Sequence, residues 1–165
     1  MSKFDKQLGV NEVLAGKELL SRPAEEFGND PTVELLWAKK AFEHAEIYFN
    51  LLCSVDPKAL RLTPHDDLIY TTFRESFPDM DVKLIIEDEI KSVEGKLKWR
   101  DFCEKFKGVV EDYSFGTLVR GDVNEDYSEK NSILVTRIQF YAIEITRNRE
   151  GLNDGIRNKF KTPLK

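Results

Sequence analysis

The sequence predicts an α+β fold, mainly helical, in a single domain with a small β-sheet. Apolar residues recur at helical spacing in several stretches that carry start and stop signals. The spacing becomes strand-like near residues 82–86, 116–122 and 132–136. Because these strands stand between helices in an irregular order, an α+β arrangement is favoured. No repeat or low-complexity segment divides the chain, so residues 1–165 are expected to form one domain.

The first strong helix signal lies at Asp30 and Pro31. Asp30 is placed to accept hydrogen bonds at the helix start, and Pro31 suits the first helical position. The side chains that follow at steps of three and four predict the buried stripe of this helix: Val33, Trp37, Ala41, His44, Tyr48, Leu51 and Val55. Asp56-Pro57 ends the helix. A shorter helix over residues 10–20 is predicted upstream of it.

A second helix is predicted between Thr63 and Pro78. Thr63 is expected to cap it, Pro64 to open it, and Asp66 to return a hydrogen bond to the cap, as in a capping box. Three large apolar side chains at steps of four predict its inward face: Ile69, Phe73 and Phe77. Pro78 cannot continue the helix, so it ends there.

Helical spacing returns in residues 87–108, where Gly95 can divide the stretch into two helices. The inner side of this stretch is predicted to consist of Trp99, Phe102, Cys103 and Phe106. Two strands follow, joined by the polar loop 123–131, which is too long for a two-residue hairpin turn. A last helix begins near Ile138, and Gly151 can end it in the left-handed conformation.

Composition places the chain among globular proteins of the reducing cytoplasm. Apolar residues make up 41% and charged residues 33%. With only Cys53 and Cys103, no disulfide framework is expected, and both thiols are predicted to be buried and free. No apolar run approaches the roughly 18 residues of a membrane helix, and the first residues have no signal-peptide core. A cytoplasmic location without membrane contact is therefore predicted, with the nucleus as a second compartment.

Charge is unevenly distributed along the chain. The formal net charge of −5 argues against general nucleic-acid binding, so no direct DNA contact is expected. From Arg137 onward there are seven basic and three acidic residues, which leaves the last 29 residues at +4 and residues 1–136 at −9. Such asymmetry can steer a charged partner, or it can be a solvated tail.

The motifs of enzyme chemistry are incomplete. His44 in the stretch HAE matches the first half of a zinc-deaminase signature, but the chain has no Pro-Cys-x-x-Cys. His44 is therefore interpreted as a hydrogen-bonded core or boundary residue. The stretch GTLVRGD has phosphate-loop glycine spacing with Asp122 in the place of the lysine, and no Gly-x-Gly or Gly-x-Ser-x-Gly occurs. We expect no catalytic residue, no metal site and no cofactor.

Two polar clusters stand at predicted helix ends. The stretch His65-Asp66-Asp67 is favoured as a helix start, with a metal site as the alternative if the fold supplies further ligands. The stretch RNREG, residues 147–151, ends the last helix. Its two arginines can interact with the helix dipole, but their planar guanidinium groups also suit carboxylates or phosphates of a partner.

Five segments of the sequence together carry a family resemblance. They read PAEEFGNDP, ELLWAKKAFEHAEIY, SVDPKALRLTPHDDLIYTTFRESFP, KWRDFCEKFKGVVEDYSFGTLVRGD and RIQFYAIEITRNREG. In this order they resemble the eukaryotic polysaccharide-biosynthesis-domain-containing protein 1 family. The resemblance spans residues 23–154 and leaves residues 1–20 and 155–165 as peripheral segments.

The resemblance implies a non-enzymatic protein-binding module. It implies a dedicated chaperone that binds the nascent GTPase domain of translation elongation factor 1-alpha, with release linked to its GTP-bound folding and with the ribosome as a second partner. A small acidic protein suits that basic client, since charge complementarity speeds encounter. The family name suggests the first alternative, a transferase of polysaccharide biosynthesis. The second alternative is a ribosome-associated protein whose basic C-terminal stretch contacts RNA.

The resemblance also implies which polar positions contact the partner. The partner-binding residues are predicted to be Arg147, Asn148, Arg149, Glu150, Glu111, Asp112, Asp66, Asp67 and Arg100. Some of these have a structural alternative: Asp66 can serve the helix start, and Arg100 can form an internal ion pair. Arg147, Arg149, Glu111 and Asp112 are the preferred candidates, because neither a cap nor an apolar stripe fully explains them.

Overall fold

The computed structural model describes residues 31–160, with side chains from residue 35 onward. Six α-helices and two β-strands lie in this range. In chain order they are α1 (Pro31–Ser54), α2 (Asp66–Ser76), α3 (Glu87–Ile90), α4 (Val93–Glu104), β1 (Gly116–Arg120), β2 (Ser132–Thr136), α5 (Arg137–Arg149) and α6 (Ile156–Lys159). The predicted α+β class is confirmed. The helix predicted over residues 10–20 and the capping role of Asp30 lie outside the described residues.

The sheet consists of β1 and β2 paired antiparallel, with Leu118 opposite Leu134. Both strands match their predicted positions. The strand predicted at 82–86 is wrong, because only Leu84 forms an isolated bridge, to Asp122. Its Val82 carbonyl accepts a hydrogen bond from an arginine side chain instead of a neighbouring strand. A ladder therefore does not extend along this segment.

The long helix α1 begins at Pro31 as predicted, and its buried face differs in detail from the predicted stripe. Ala41 and Tyr48 are buried, whereas Leu51 is exposed and Leu52 is fully buried in its place. A run of two leucines leaves this choice open in the sequence, since the stripe can drift by one residue along a long helix. Residues of α1 pack against β1 and α6.

The start of α2 shows half of the predicted capping arrangement. The Asp66 carboxylate is buried and accepts hydrogen bonds from the backbone N–H groups of Leu62 and Thr63, at 2.8 and 2.7 Å. The Thr63 hydroxyl accepts from the His65 N–H rather than from a residue of the helix, so the regular helix begins at Asp66. Ile69 and Phe73 form the buried face, as predicted.

The break between α3 and α4 lies at Ser92 rather than at Gly95. The Ser92 hydroxyl accepts a hydrogen bond from the Gly95 N–H and caps α4. Gly95 has a packing role, since a Cβ there would lie 2.1 Å from the Glu89 carbonyl oxygen. The absence of a side chain thus lets α4 approach the end of α3 closely.

Helix α5 runs through the centre of the domain. Ten of its thirteen residues are buried, all except Arg137, Tyr141 and Arg149, and it packs against α2, α4 and both strands. The Thr136 hydroxyl and the Gln139 side chain form a complete capping box at its start. Gly151, with a φ of 79°, follows its end in the left-handed conformation, as predicted. The aromatic side chains of α2 and α4, such as Phe73 and Trp99, stack against one another beside it.

Candidate functional site

Arg147, a preferred candidate for partner contact, is fully buried. Its side chain has no exposed surface. The guanidinium donates to the Val82 carbonyl through Nε at 2.7 Å and to the Gly121 carbonyl through Nη2 at 2.9 Å. Its Nη1 donates to the Glu144 carboxylate at 2.7 Å. The prediction that Arg147 contacts a partner is therefore wrong: every part of its fork is used inside the domain.

A second buried arginine shares the same carboxylate. Arg120, at the end of β1, donates through Nη2 to Glu144 Oε1 at 3.1 Å and to Asn153 Oδ1 at 2.6 Å. Its Nη1 donates to the carbonyls of Val123 and Glu125. We refer to Arg120, Glu144, Arg147 and Asn153 as the buried ion network. It ties β1, α5 and the segments beside them together.

Two cations face one anion in this network, so its formal charge is +1. Burial disfavours ionisation of Glu144, but the two guanidinium groups overcome this and hold the pKa of its carboxyl at about 2. Backbone carbonyls also accept from both guanidinium groups, whereas the buried Arg120 Nε has no acceptor within the described residues. Burial raises the pKa of Tyr48 and of Tyr127, so both neighbouring phenols stay neutral. The network is structural, since no member reaches solvent.

Two further predicted partner residues also lie inside. Asn148 is buried and donates to the Tyr48 hydroxyl at 3.3 Å, while its own side-chain oxygen accepts from Asn153 at 2.6 Å. Asp66 is buried in the turn before α2, where it accepts two backbone hydrogen bonds. Their predicted role in partner contact is wrong, because only 2% of Asp66 and 3% of Asn148 are exposed and their side-chain hydrogen bonds are made within the domain.

The structure brings three other predicted residues together at the surface. Arg149 forms an ion pair with Asp67, from α2, although 82 positions separate them in the chain. The Arg149 side chain is 34% exposed and that of Asp67 80% exposed. The Arg149 guanidinium lies over the Tyr70 ring, 5.3 Å from the ring centre. The hydrogen bond from Arg149 lowers the pKa of Asp67.

Glu150 lies beside this pair in a second ion pair. Arg74 donates to both of its carboxylate oxygens, through Nε at 3.0 Å and Nη2 at 2.8 Å, and the Tyr70 hydroxyl donates at 3.0 Å. The hydrogen bond from Arg74 lowers the pKa of Glu150. We call Asp67, Tyr70, Arg74, Arg149 and Glu150 the α2–α5 ionic patch. Sequence reasoning missed Arg74, whose only signal was its position near a helix end.

A cleft of about 460 Å³ opens next to the patch. It is lined by Lys58, Ala59, Leu60, Arg61, Asp67, Ile145, Asn148 and Arg149. Three of these side chains are cationic and one is anionic, so the cleft is locally basic on a protein whose net charge is −5. Lys58 is held at its edge by an exposed ion pair with Asp154 at 3.3 Å. The patch and the cleft together form a continuous polar surface.

The remaining predicted residues lie elsewhere. Glu111 and Asp112 are exposed near the start of α5, where Asp112 forms an ion pair with Arg137 at 3.7 Å. The length of α5 separates them from Arg149 by about 18 Å. Arg100 is exposed on α4 and makes no ion pair with any described residue, so its internal alternative is not confirmed. The nine residues therefore do not form one surface.

The histidines and cysteines fit structural roles. His44 is half-buried with its ring 5.1 Å from that of Phe140, and burial lowers its pKa. This is the predicted boundary position, but the expected hydrogen bond to its Nδ1 is missing. Cys53 is buried and Cys103 partly buried, where burial raises the pKa of the Cys103 thiol to about 11. Residues 31–160 contain no cluster of three metal-ligating side chains.

A groove of a different character lies between α3, α4 and the segment that precedes them. Its volume is about 710 Å³. Its apolar side chains are Phe77, Met80, Leu84, Ile86, Ile90 and Trp99. Its charged side chains are Asp79, Asp81, Asp88, Glu89, Glu94 and Lys98. We call it the acidic groove. No motif in the sequence pointed to it.

The family model described as PBDC1 protein matches residues 33–158 of the chain. Protein PBDC1 of Mus musculus is 51% identical over 145 residues, which cover 88% of this chain and 73% of the mouse protein. Protein PBDC1 of Homo sapiens is 49% identical over 153 residues, which cover 90% of this chain and 66% of the human protein. This chain thus spans about two thirds to three quarters of these two relatives.

A solved structure agrees with the fold. The solution NMR structure of a Saccharomyces cerevisiae protein superposes with a TM-score of 0.75 at 45% identity, covering 82% of this chain and 95% of the yeast chain. Within residues 31–160, no helix has the length and apolarity that crossing a bilayer requires. Residues 33–158, which the family model matches, include both strands, the buried ion network and the α2–α5 ionic patch. The chain belongs to the PBDC1 protein family, the polysaccharide-biosynthesis-domain-containing family whose sequence segments it carries.

Proposed function

We propose that this protein is a non-enzymatic chaperone that captures the GTPase domain of translation elongation factor 1-alpha during its synthesis. The α2–α5 ionic patch and the adjoining cleft are the capture surface. One observation carries this proposal: Asp67, Arg149 and Glu150, which the family resemblance marks for partner contact, meet on one accessible surface although they are distant in sequence. The resemblance supports the choice of client, and the exposed position of these side chains supports the choice of surface.

The ion pairs of this surface are suited to exchange. Exposed ion pairs contribute little to folding because water screens them and both side chains lose freedom when they pair. A partner can therefore replace Asp67 as the acceptor of Arg149 at small cost to the fold. The planar guanidinium of Arg149 can then hold a partner carboxylate in a two-pronged bond. Buried Arg147 lacks this option.

The proposed action needs no covalent step and no cofactor. The exposed cations of the cleft, Lys58 and Arg61 with Arg149, attract acidic segments of an incompletely folded GTPase domain. The acidic remainder of the surface attracts basic segments of the same client, which speeds encounter. When the client folds and binds GTP, its charged segments become internal or reoriented and the contact is lost. The ribosome enters this scheme only as the place of synthesis.

A charge-swap variant tests the patch without removing its internal ion pair. In Asp67→Arg combined with Arg149→Asp, the two side chains can still pair with each other, but each presents the opposite charge to a partner. We expect unchanged circular dichroism and unfolding midpoint. Capture of newly synthesised elongation factor 1-alpha, measured by co-purification from a cell-free translation reaction, should fall at least about tenfold.

A second exposed pair supplies the matched control. Lys159 and Glu125 are 3.0 Å apart with side chains 50% and 51% exposed, on another part of the surface. The swap Glu125→Lys with Lys159→Glu should leave capture within about twofold of the native protein. If the Asp67–Arg149 swap is folded and captures normally, the patch is not the contact surface. If the native protein neither captures the factor nor increases its soluble yield, the client is wrong.

A further inference from the structure

The acidic groove takes no part in the ion pairs described above, and its side chains are suited to a different contact. We infer that this groove binds a short amphipathic helix of a partner protein, with Lys or Arg flanking an apolar stripe. This inference goes beyond the proposed function, since it concerns a separate surface and holds for any partner with such a segment. Its basis is the combination of an exposed apolar floor, unpaired carboxylates and an occupied backbone.

The floor of the groove exposes large aliphatic side chains. Leu84 is 53% exposed and Ile86 44% exposed, and both line the same concave surface as Trp99. Single exposed leucines are ordinary on protein surfaces, but a concave apolar group with a polar rim is typical of a recognition site. On α4, the exposed Val93 and Leu97 form the next ridge beside the rim. An apolar helix face can thus bury several side chains here at once.

The rim of the groove is acidic, and the described residues supply it with few counter-ions. Five carboxylates face one cation, Lys98. Within residues 35–160, four of them have neither an ion pair nor a side-chain hydrogen bond: Asp79, Asp88, Glu89 and Glu94. Neighbouring Glu87 outside the groove is paired with Lys91. The carboxylates of the α2–α5 ionic patch are likewise paired with arginines, so the groove is where added cations find free partners.

The backbone beside the groove favours a helix over an added strand as the occupant. The Met80 and Val82 carbonyls accept from arginine side chains, and the Lys83 backbone uses both its N–H and its carbonyl within the domain. The Ile86 carbonyl accepts from the first turn of α3. Of residues 82–86, Leu84 alone keeps both its N–H and its carbonyl without a partner among the described residues, which is too short an edge for an added strand. The contact must therefore be made by side chains, which a helix presents as an apolar stripe with flanking charges.

A model peptide tests the inference directly. The probe is a fluorescein-labelled helical peptide of about 14 residues, roughly 21 Å long, with Leu on one face and Lys beside it. Fluorescence anisotropy with the full chain should show saturable binding. Its affinity should fall about tenfold when salt rises from about 50 to 500 mM. Two control peptides, one with Glu for every Lys and one with scrambled order, should bind at least about tenfold more weakly.

Two groove variants separate the apolar and ionic contributions. Leu84→Thr with Ile86→Ser shortens the floor, and Ser at position 86 can cap α3 where Ile86 has no cap bond. Asp79→Asn, Asp88→Asn and Glu94→Gln together remove three charges and keep the shapes. Each variant should bind the Lys peptide about tenfold more weakly, and the charge variant should also lose most of the salt dependence.

Matched controls use exposed residues outside the groove. They are Ile47→Ser with Leu134→Thr for the floor, and Glu46→Gln, Glu75→Gln and Glu129→Gln for the rim. Their peptide affinity should stay within about twofold of native. The Asp67–Arg149 swap should also bind the peptide normally, so this inference and the proposed client can fail separately.

Four results would each overturn the inference. These are absence of saturable binding, equal binding of the Glu peptide, groove variants that bind as the native protein does, and a native dimer that dissociates when Leu84 and Ile86 are replaced. The last result, measured by analytical ultracentrifugation, would make the groove a contact between two copies of this chain.

Discussion

Arg147 and Arg149 are two residues apart at the end of one helix, and they lie in opposite environments. On an α-helix a step of two residues is a rotation of about 200°, so the two side chains point in nearly opposite directions. Arg147 enters the buried ion network and has no exposed surface. Arg149 lies at the surface over Tyr70 and pairs with the exposed Asp67. Of two arginines at the same helix end, one therefore stabilises the fold and the other forms part of the surface.

Arginines of one sequence motif therefore differ in function according to whether the fold buries or exposes them. A buried guanidinium needs hydrogen-bond acceptors and a counter-charge within the domain, because desolvation costs several kcal/mol per ion. Arg147 meets this requirement with two carbonyls and one carboxylate. Because Arg147 is fully buried, its guanidinium is closed to a partner. An exposed guanidinium keeps water as an alternative partner and stays available.

Replacing each arginine by methionine is the strongest test of this comparison. Arg147→Met leaves the Val82 carbonyl without its donor, removes one of the two donors to the Gly121 carbonyl, and removes one of the two cations beside Glu144. The free energy of unfolding, measured by urea denaturation, should fall by about 3–5 kcal/mol. Arg149→Met, the control from the same helix end, should cost only a small fraction of that. Equal losses would show that burial does not distinguish the two.

The pH dependence of the free energy of unfolding distinguishes the buried ion network, through Glu144, from the ion pairs at the surface. Its pKa is about 2 in the folded protein against an ordinary 4.5, so the folded state favours the charged form. This stabilisation is fully present above pH 4.5 and is lost as pH falls from 4.5 toward 2. It amounts to about 3 kcal/mol. The pKa values of the surface carboxylates Asp67 and Glu150 are also lowered, but these two groups are exposed to water and salt.

Glu144→Gln isolates that contribution. Urea denaturation at pH 7, 4 and 3 should show that the stability gap between native protein and variant is large at pH 7. The gap should narrow by up to about 3 kcal/mol toward pH 2, and added salt should affect it little because the network is buried. A gap that stays constant with pH would mean that Glu144 is not charged in the folded state.

Arg74 is expected to have an effect between those of Arg147 and Arg149. It binds both oxygens of Glu150 and also donates to the carbonyls of Phe77 and Met80, with 22% of its side chain exposed. Arg74→Met should reduce the free energy of unfolding by about 1–2 kcal/mol, less than Arg147→Met because water can replace the lost bonds. Thermal and urea unfolding measure it, with Arg100→Met as the unpaired control. A loss of unfolding free energy as large as that of Arg147→Met would show that Arg74 contributes as much to stability as a buried arginine.

Much of the fold could be predicted because its signals are local. Pro31 at the start of α1, the apolar pairs of β1 and β2, and Gly151 after α5 each depend on a few neighbouring residues. The prediction of a third strand at 82–86 was wrong for a non-local reason. Its alternation fits a strand, but Val82 is bound by Arg147, which is 65 positions away. A tertiary contact here replaced the pairing that the local pattern favours.

The candidate site was harder to predict because exposure depends on the whole fold. Asn148 looks like a surface polar group in sequence, yet it is buried and donates to the hydroxyl of Tyr48, 100 positions away. Arg120 and Glu144, each set among apolar residues, were the available signals of a buried pair. A charge inside an apolar run needs an internal partner, but the sequence does not show which residue that partner is.

The amino-acid sequence alone was enough to predict the α+β class and the positions of both strands, because periodicity and capping act over a few residues. The family was predicted from the resemblance of five sequence segments. Only the tertiary structure decided which arginine of the pair at 147 and 149 faces inward. It also assembled the acidic groove from α3, α4 and the segment before them. The physical reason is that desolvation and ion pairing depend on distances between remote segments, and those distances exist only once the chain has packed.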